Sequence, residues 1–195
     1  MENTRQKAVS QAQKLLQQQG FNGFSFQHIA DLLEIKKPSL YAHFESKEDL
    51  GNELIQQYLT SFQNWAEALS EFDARHRLMA FFDLFFKFSK AGAMYCPVAA
   101  LTADLHTLPP SMKKSLKALY DHQTEWLKKV ILAGQHEGSF RKDLKANELV
   151  QFVISLSIGS QFLGRISGEA EVIKTLKQQA LMYLEGIPHG RKSKV

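Results

Sequence analysis

A proline, one very short helical run and an immediate helix restart narrow the folds open to this chain more than any other feature. In IKKPSLYAHFESKEDL, residues 35–50, Pro38 follows two lysines; Leu40, Tyr41 and Phe44 come next, then Ser46. Pro38 suits the first turn of a helix, where its missing N–H would be unpaired anyway. Ser46 suits the N-cap of the next helix, and Glu48 and Asp49 in that helix's first turn suit its dipole. A helix confined between these two marks buries little by itself. It either caps another element or is held out for something to touch.

The preceding segment supplies a packing partner. Ala8, Ala12, Leu15 and Leu16 share a helical face, and Gly20 follows as a stop signal. FNGFSF reads as a turn with aromatic anchors, and Ser25 stands at the N-cap position before FQHIADLLEI. In that helix Phe26, Ile29, Ala30 and Leu33 share a face, and the small Ala30 lets a second helix cross closely. Two short helices joined by a tight turn, the second with polar residues outward, make helix-turn-helix geometry. The second helix of such a pair enters the major groove of DNA, which is about 12 Å wide and admits one helix.

The spacing assigns roles along that second helix. Leu40 and Phe44 face inward. Ser39 and His43, four residues apart, share the outer face with Ala42 beside them. Short side chains there permit close approach to base edges: Ala42 suits a thymine methyl, and Ser39 a base donor or acceptor. Lys36 and Lys37 at the turn, Lys47 after the helix and the Tyr41 hydroxyl stand where phosphates would run. Such contacts set affinity and register more than sequence choice. Ser25, Gln27 and Pro38 complete the residues expected at a DNA surface.

Composition limits the alternatives. The 195 residues are 44% hydrophobic and 23% charged, enough apolar material for a real core in one large domain or two small ones. The one cysteine, Cys96, rules out a disulfide within the chain and fits a reducing compartment. MENTRQKAVSQAQKLL lacks the apolar run of a signal peptide. The most apolar stretch, ELVQFVISLSIGSQFLG, is too polar for a membrane span. A cytoplasmic protein with no membrane partner is expected. The net charge of +4 mildly favours an acidic partner. Residues 1–50 are nevertheless neutral; the surplus lies in residues 113–145 and the tail GRKSKV.

Helical periodicity continues to the end of the chain. Long helices are expected over LGNELIQQYLTSFQNWAEALSEF, ARHRLMAFFDLFFKFSK and about residues 111–136. A short one is expected at VAALTADLH, and two more at ELVQFVISLSIGSQFLGRIS and EAEVIKTLKQQALMYLEG. No alternating strand pattern competes, so the fold class is all-α. Three parts are expected: a helix-turn-helix domain over residues 1–50, a larger helical domain over 51–187 and a basic tail over 188–195.

GFNGFSFQHIADLLEIKKPSLYAHFESKEDL resembles the DNA-binding segment of TetR-family transcriptional regulators. The matching positions are Gly20, Ser25, Ile29, Ala30, Leu40, Tyr41, His43, Phe44, Ser46, Lys47 and Leu50. Three positions depart from that pattern. Glu34, Ile35 and Lys36 stand where Gly-Val-Ser is common, so Lys36 replaces the usual serine cap, and Pro38 replaces a commonly small residue. The resemblance implies about nine helices, a homodimer, a double-stranded DNA operator and a repressor that answers to a small-molecule effector.

The larger domain would then hold dimerisation and effector binding. Small residues on ISLSIGSQFLG let a partner helix pack closely, and Ser155, Gly159, Phe162 and Leu163 are the expected dimer residues. Phe82, Phe85, Phe86, Tyr95, Trp126, Phe152 and Phe162 either pack as plain core or line an apolar effector pocket. YCPVAALTADL loosely resembles a stretch of some TetR-type effector domains and identifies no ligand.

Other chemistry is weakly supported. Asp104 with His106, or His122 with Glu125, lacks a third ligand, so neither metal nor cofactor is expected. An enzyme built on the aromatic residues with Cys96 or the Asp104/His106 region would need a nucleophile–base set, phosphate loop or metal signature that the sequence does not carry. The chain is expected not to be an enzyme. An activator, or a regulator that needs its ligand to bind DNA, remains open beside a repressor.

Overall fold

Caps, prolines and glycines punctuate the chain into helices. The computed structural model describes residues 4–90, 95–168 and 171–186, and the side chains of all of these except 86–90, 165 and 171–173. The helices are α1 (Thr4–Gln19), α2 (Phe26–Leu32), α3 (Pro38–Tyr41), α4 (Lys47–Glu67), α5 (Ala74–Lys90), α6 (Pro97–Ala103), α7 (Pro110–Glu137), α8 (Ala146–Ser167) and α9 (Glu171–Glu185). No strand occurs among the described residues. The all-α expectation holds.

The punctuation works by filling the unpaired groups at helix ends. The Gly20 N–H donates to Leu16 O at 2.9 Å, and Gly20 takes φ +79°, which a residue with a Cβ adopts only at a cost. Ser25 Oγ accepts from His28 N at 3.4 Å to start α2, and Ser46 Oγ accepts from Asp49 N at 3.0 Å to start α4. Asp49 Oδ2 returns the favour by accepting from Glu45 N at 3.3 Å. Pro97 and Pro110 each open a helix, and Cys96 Sγ accepts from Ala99 N at 3.3 Å.

The helices divide into two compact units. The first joins Met1–Ala68 to Gly92–Gln123; the second joins Leu69–Ala91 to Thr124–Val195. In the first, α1 packs on α2, α4 and α6. Its core holds Leu16, Ile29, Leu40, Phe44, Leu50, Leu54, Leu101 and Met112, each at most 1% exposed. Each such side chain withdrawn from water contributes about 1.5–3 kcal/mol. α6 is short, yet Pro97–Leu101 are all buried, because the helix is wedged against α1. In the second unit α8 packs on α9, and both pack on α5. Leu78, Phe81, Leu127, Val130, Val153, Ala180 and Leu184 form its core.

Candidate nucleic-acid interface

α2 ends in a tight stop that aims the chain at α3. Glu34 N donates to Asp31 O at 3.2 Å, and Ile35 N donates to Ala30 O at 3.0 Å. These two bonds form a Schellman motif, whose central position needs a left-handed backbone and usually carries glycine. Glu34 holds that position with φ +54°.

The chain then winds tightly through α3. Ser39 N donates to Lys36 O at 2.9 Å, Leu40 N to Lys37 O at 3.0 Å and His43 N to Leu40 O at 3.0 Å. These three-residue steps limit α3 to a single turn. Ser39 therefore lies on the helix, whereas His43 lies just beyond its end. Leu40 and Phe44, each 1% exposed, pin the turn from inside. Phe26 meets the Tyr41 ring edge-on at 5.1 Å and the Phe44 ring at 6.4 Å. Arg5 on α1 lies 5.2 Å from the Phe44 ring centre and makes a two-pronged ion pair with Glu53 on α4, one prong at 2.6 Å.

With that anchoring, the expected reading residues are presented to solvent. Lys36, Lys37, Pro38, Ser39, Ala42 and His43 are exposed, and Tyr41 is 53% exposed. The Lys37 amine stands 6.0 Å from the Tyr41 ring centre. Gln27 is exposed on α2 with its amide donating to Asp31 at 2.7 Å, and Ser25 is half-buried as the cap. Lys47 sits otherwise than a phosphate contact expects. Its amine turns inward and donates to Phe21 O at 2.5 Å. Burial lowers the pKa of that amine, and the charge of Asp104 offsets part of the effect.

The other predicted residues scatter by role. Phe82 and Phe85 are core residues of the second unit. Trp126 is half-buried in that unit with its ring 5.9 Å from Phe81, and Phe152 packs at 4.7 Å on Tyr183. Tyr95 belongs to the first unit, where its N–H donates to Gln17 O at 3.0 Å. The side chain of Phe86 lies outside the described residues, as does the tail over 188–195. On α8, Ser155, Phe162 and Leu163 are exposed, and a Cβ added to Gly159 would meet open space. Ile166 extends this apolar face at 86% exposure, and Met182 on α9 is 72% exposed.

Two family patterns match the chain. "Bacterial regulatory proteins, tetR family" matches residues 8–54, and "Tetracyclin repressor-like, C-terminal domain" matches residues 74–180. The chain belongs to the TetR family. It is a DNA-binding transcriptional repressor of helix-turn-helix type. The HTH-type transcriptional repressor DhaR of Mycobacterium sp. (strain GP1) is 27% identical over 155 residues, covering 77% of each chain. The HTH-type transcriptional repressor KstR2 of Rhodococcus jostii (strain RHA1) is 27% identical over 183 residues, covering 91% of this chain and 89% of its own. A TetR transcriptional regulator from Legionella pneumophila superposes with a TM-score of 0.84 at 26% identity, covering 94% of this chain and 98% of that one.

The departures from the TetR pattern now have local explanations. Glu34 adopts the left-handed turn that glycine commonly fills. α3 starts without a side-chain cap, because Lys36 replaces the usual serine and Lys37 is the N-cap residue. Pro38 offsets this in part, since its first-turn position has no N–H to satisfy.

Sequence reasoning missed three residues that hold the TetR-type reading head. Arg5 gave no signal beyond its charge. Asn22 and Asp104 are 82 positions apart, and no local pattern links them. Asp104 drew attention beside His106 as a metal ligand or enzymatic group; its carboxylate accepts from Asn22 N and from Asn22 Nδ2, both at 3.0 Å. Among the described residues no three of His, Cys, Asp and Glu gather as metal ligands, and no helix is long and apolar enough to cross a membrane.

Proposed function

We propose that a homodimer of this chain reads a palindromic operator with two copies of α3 and is released by a small apolar or aromatic effector. The carrying observation is the inside–outside division of residues 36–44. Leu40 and Phe44 are buried, while Lys36, Lys37, Ser39, Tyr41, Ala42 and His43 face solvent. In this reading Ser39, Ala42 and His43 meet base edges, and Lys36, Lys37 and the Tyr41 hydroxyl meet phosphates. Ser25, Gln27 and Pro38 border the same surface. Residues 1–50 act as the reading head and 51–187 as the effector and dimer domain.

The exposed face of α8 supports the dimer. Leu163 and Ile166, 55% and 86% exposed, stand in line with Ser155, Gly159 and Phe162. A second copy covering this face would bury them, and each large aliphatic side chain would contribute about 1.5–3 kcal/mol. Two-fold pairing would also set the two α3 segments about one turn of DNA apart, so that the operator mirrors the protein's symmetry.

Effector release requires that the ligand bind the non-reading state more tightly than the reading state. The aromatic residues Phe82, Phe85, Trp126 and Phe152 are the candidates to meet it, with Phe86, Tyr95 and Phe162. In this reading the chain works in the cytoplasm, and its ligand leaves chemically unchanged, as for a regulator and not an enzyme.

The test is selection of DNA from a random pool by the purified protein at near-physiological salt. A palindromic motif is expected, and the selected duplex then serves to screen apolar compounds for release. Recovery of non-specific DNA alone, with and without cell extract as a source of co-ligand, would count against operator reading.

A further inference from the structure

Two charged side chains of α5 are paired on α9. Arg75 Nε donates to Glu185 at 2.6 Å, and Asp83 pairs with Lys177. Arg77, between them in sequence, is different. Its side chain is half-buried, and its Nε–H is sealed from water with no acceptor among the described residues. No ion pair among the described residues includes its guanidinium. The carboxylates at the start of α5 serve the helix end instead. Asp73 Oδ1 accepts from His76 N at 2.7 Å, and Glu137 Oε2 accepts from Ala74 N at 3.4 Å.

Arg77, Phe81 and Phe85 follow one another at four-residue steps, so they share one face of α5. Phe81 and Phe85 are buried with ring centres 5.0 Å apart, and Trp126 of α7 stacks on Phe81 at 5.9 Å. The face therefore runs from a cation at one end to aromatic rings at the other. A guanidinium only donates, and its planar fork matches the two oxygens of a carboxylate. A buried donor without an acceptor is costly, and a guanidinium with a structural task would have its acceptor within the fold. Nε is sealed in this packing, so an anion reaches it only where the packing opens. Such an anion binds the opened state more tightly, which is the condition for release.

We propose that Arg77 is an anion-binding residue of the effector site and that the effector is an aromatic carboxylic acid. This rests on the effector reading above and narrows it. The carboxylate pairs with the Arg77 fork, and the ring lies toward Phe85 and Trp126.

The experiment follows thermal unfolding and tryptophan fluorescence of the full-length protein with benzoate, phenylacetate and 2-naphthoate, each beside its carboxamide, for wild type and Arg77→Met. At least one acid should bind wild type about tenfold or more tightly than its amide, whereas Arg77→Met binds the two alike. Without ligand, Arg77→Met should unfold at or above the wild-type Tm, because no partner is lost with the guanidinium. A wild type that prefers no acid of the series to its amide overturns the proposal, as does an Arg77→Met that keeps the preference. A ligand-free Tm well below wild type, or a variant that does not fold, shows that the guanidinium already serves the fold and overturns the proposal as well. Release of a selected operator duplex is read separately. An acid that binds through Arg77 and leaves the duplex bound supports the carboxylate site and defeats release by that acid. A wild type that binds no duplex defeats the DNA reading, while the acid preference still decides the role of Arg77.

Discussion

Asn22 donates twice to Asp104, through its backbone N–H and its side-chain amide, both at 3.0 Å. The same amide donates to Thr107 Oγ1 at 2.6 Å. These bonds tie the start of the reading head to the end of α6. Hydrogen bonds to a charged group are worth about 1.5–3 kcal/mol each, less where water competes. Asp104→Ala should therefore destabilise the protein by about 1–2 kcal/mol. Urea unfolding at fixed protein concentration measures this, and an unchanged midpoint would show that the tie carries no weight.

Glu34 occupies a backbone region that costs a residue with a Cβ about 1–2 kcal/mol. Glycine escapes that cost but loses about 0.5–1 kcal/mol through its freer unfolded chain. Glu34→Gly should thus gain about 0.5–1 kcal/mol. Thermal unfolding of the two proteins checks the sign. A lower Tm for the variant would mean that the Glu34 side chain stabilises the turn in some other way.

Gly51 on α4 is a point of close approach. A Cβ there would lie 2.5 Å from Met112 Cε and 2.9 Å from a Phe21 ring carbon. Alanine in a helix interior gains about 1 kcal/mol over glycine, whereas overpacking costs about 1–3 kcal/mol. Met112 is fully buried and Phe21 nearly so, which leaves little room for relief. Gly51→Ala should lose about 1 kcal/mol net, and Met112→Ala in the same chain should recover part of the clash. A stabilised single variant would show that Met112 swings aside freely.

The legible parts of the chain were those written in local chemistry. Ser25 and Ser46 cap where their positions say, because a cap needs only a hydroxyl and an N–H three residues on. Leu40 and Phe44 are both buried as their spacing suggests, although α3 ends at Tyr41, because a four-residue bond from Phe44 N to Leu40 O at 3.0 Å closes the chain over them. Long-range pairing stayed hidden. Nothing near Asn22 names Asp104, and nothing near Arg5 names Glu53. The inward bond of Lys47 was hidden for the same reason: its charge is visible in sequence, but the Phe21 carbonyl that takes its amine is 26 residues away. His43 was expected on the helix face, and the three-residue bonds of α3 place it just past the helix end.

Tyr58 on α4 has a buried hydroxyl that meets no hydrogen-bonding group among the described residues. Burial pushes its pKa up, and the neighbouring Cys96 adds to the shift. Tyr58→Phe removes the unpaired group and should stabilise by about 1 kcal/mol at neutral pH. In the unfolded chain a tyrosine ionises near pH 10, while Tyr58 in the fold stays protonated. The unfolded state then binds fewer protons, so stability falls as pH rises above about 10. The variant should show a shallower fall in that range. Equal slopes for the two proteins would contradict this.

Leu163 and Ile166 test the dimer. Leu163→Arg with Ile166→Asp places charges on the face proposed to meet a second copy, without touching the buried core of α8. Sedimentation should show a dimer for the wild type and a monomer for the variant, with unchanged helical circular dichroism. A variant that stays dimeric would move the interface elsewhere.

The most direct measurement compares the DNA motifs selected from one random pool by wild type and by His43→Ala. A palindrome is expected for the wild type, and for the variant a motif changed at one pair of symmetry-related positions. An identical motif from both proteins would contradict base reading by His43.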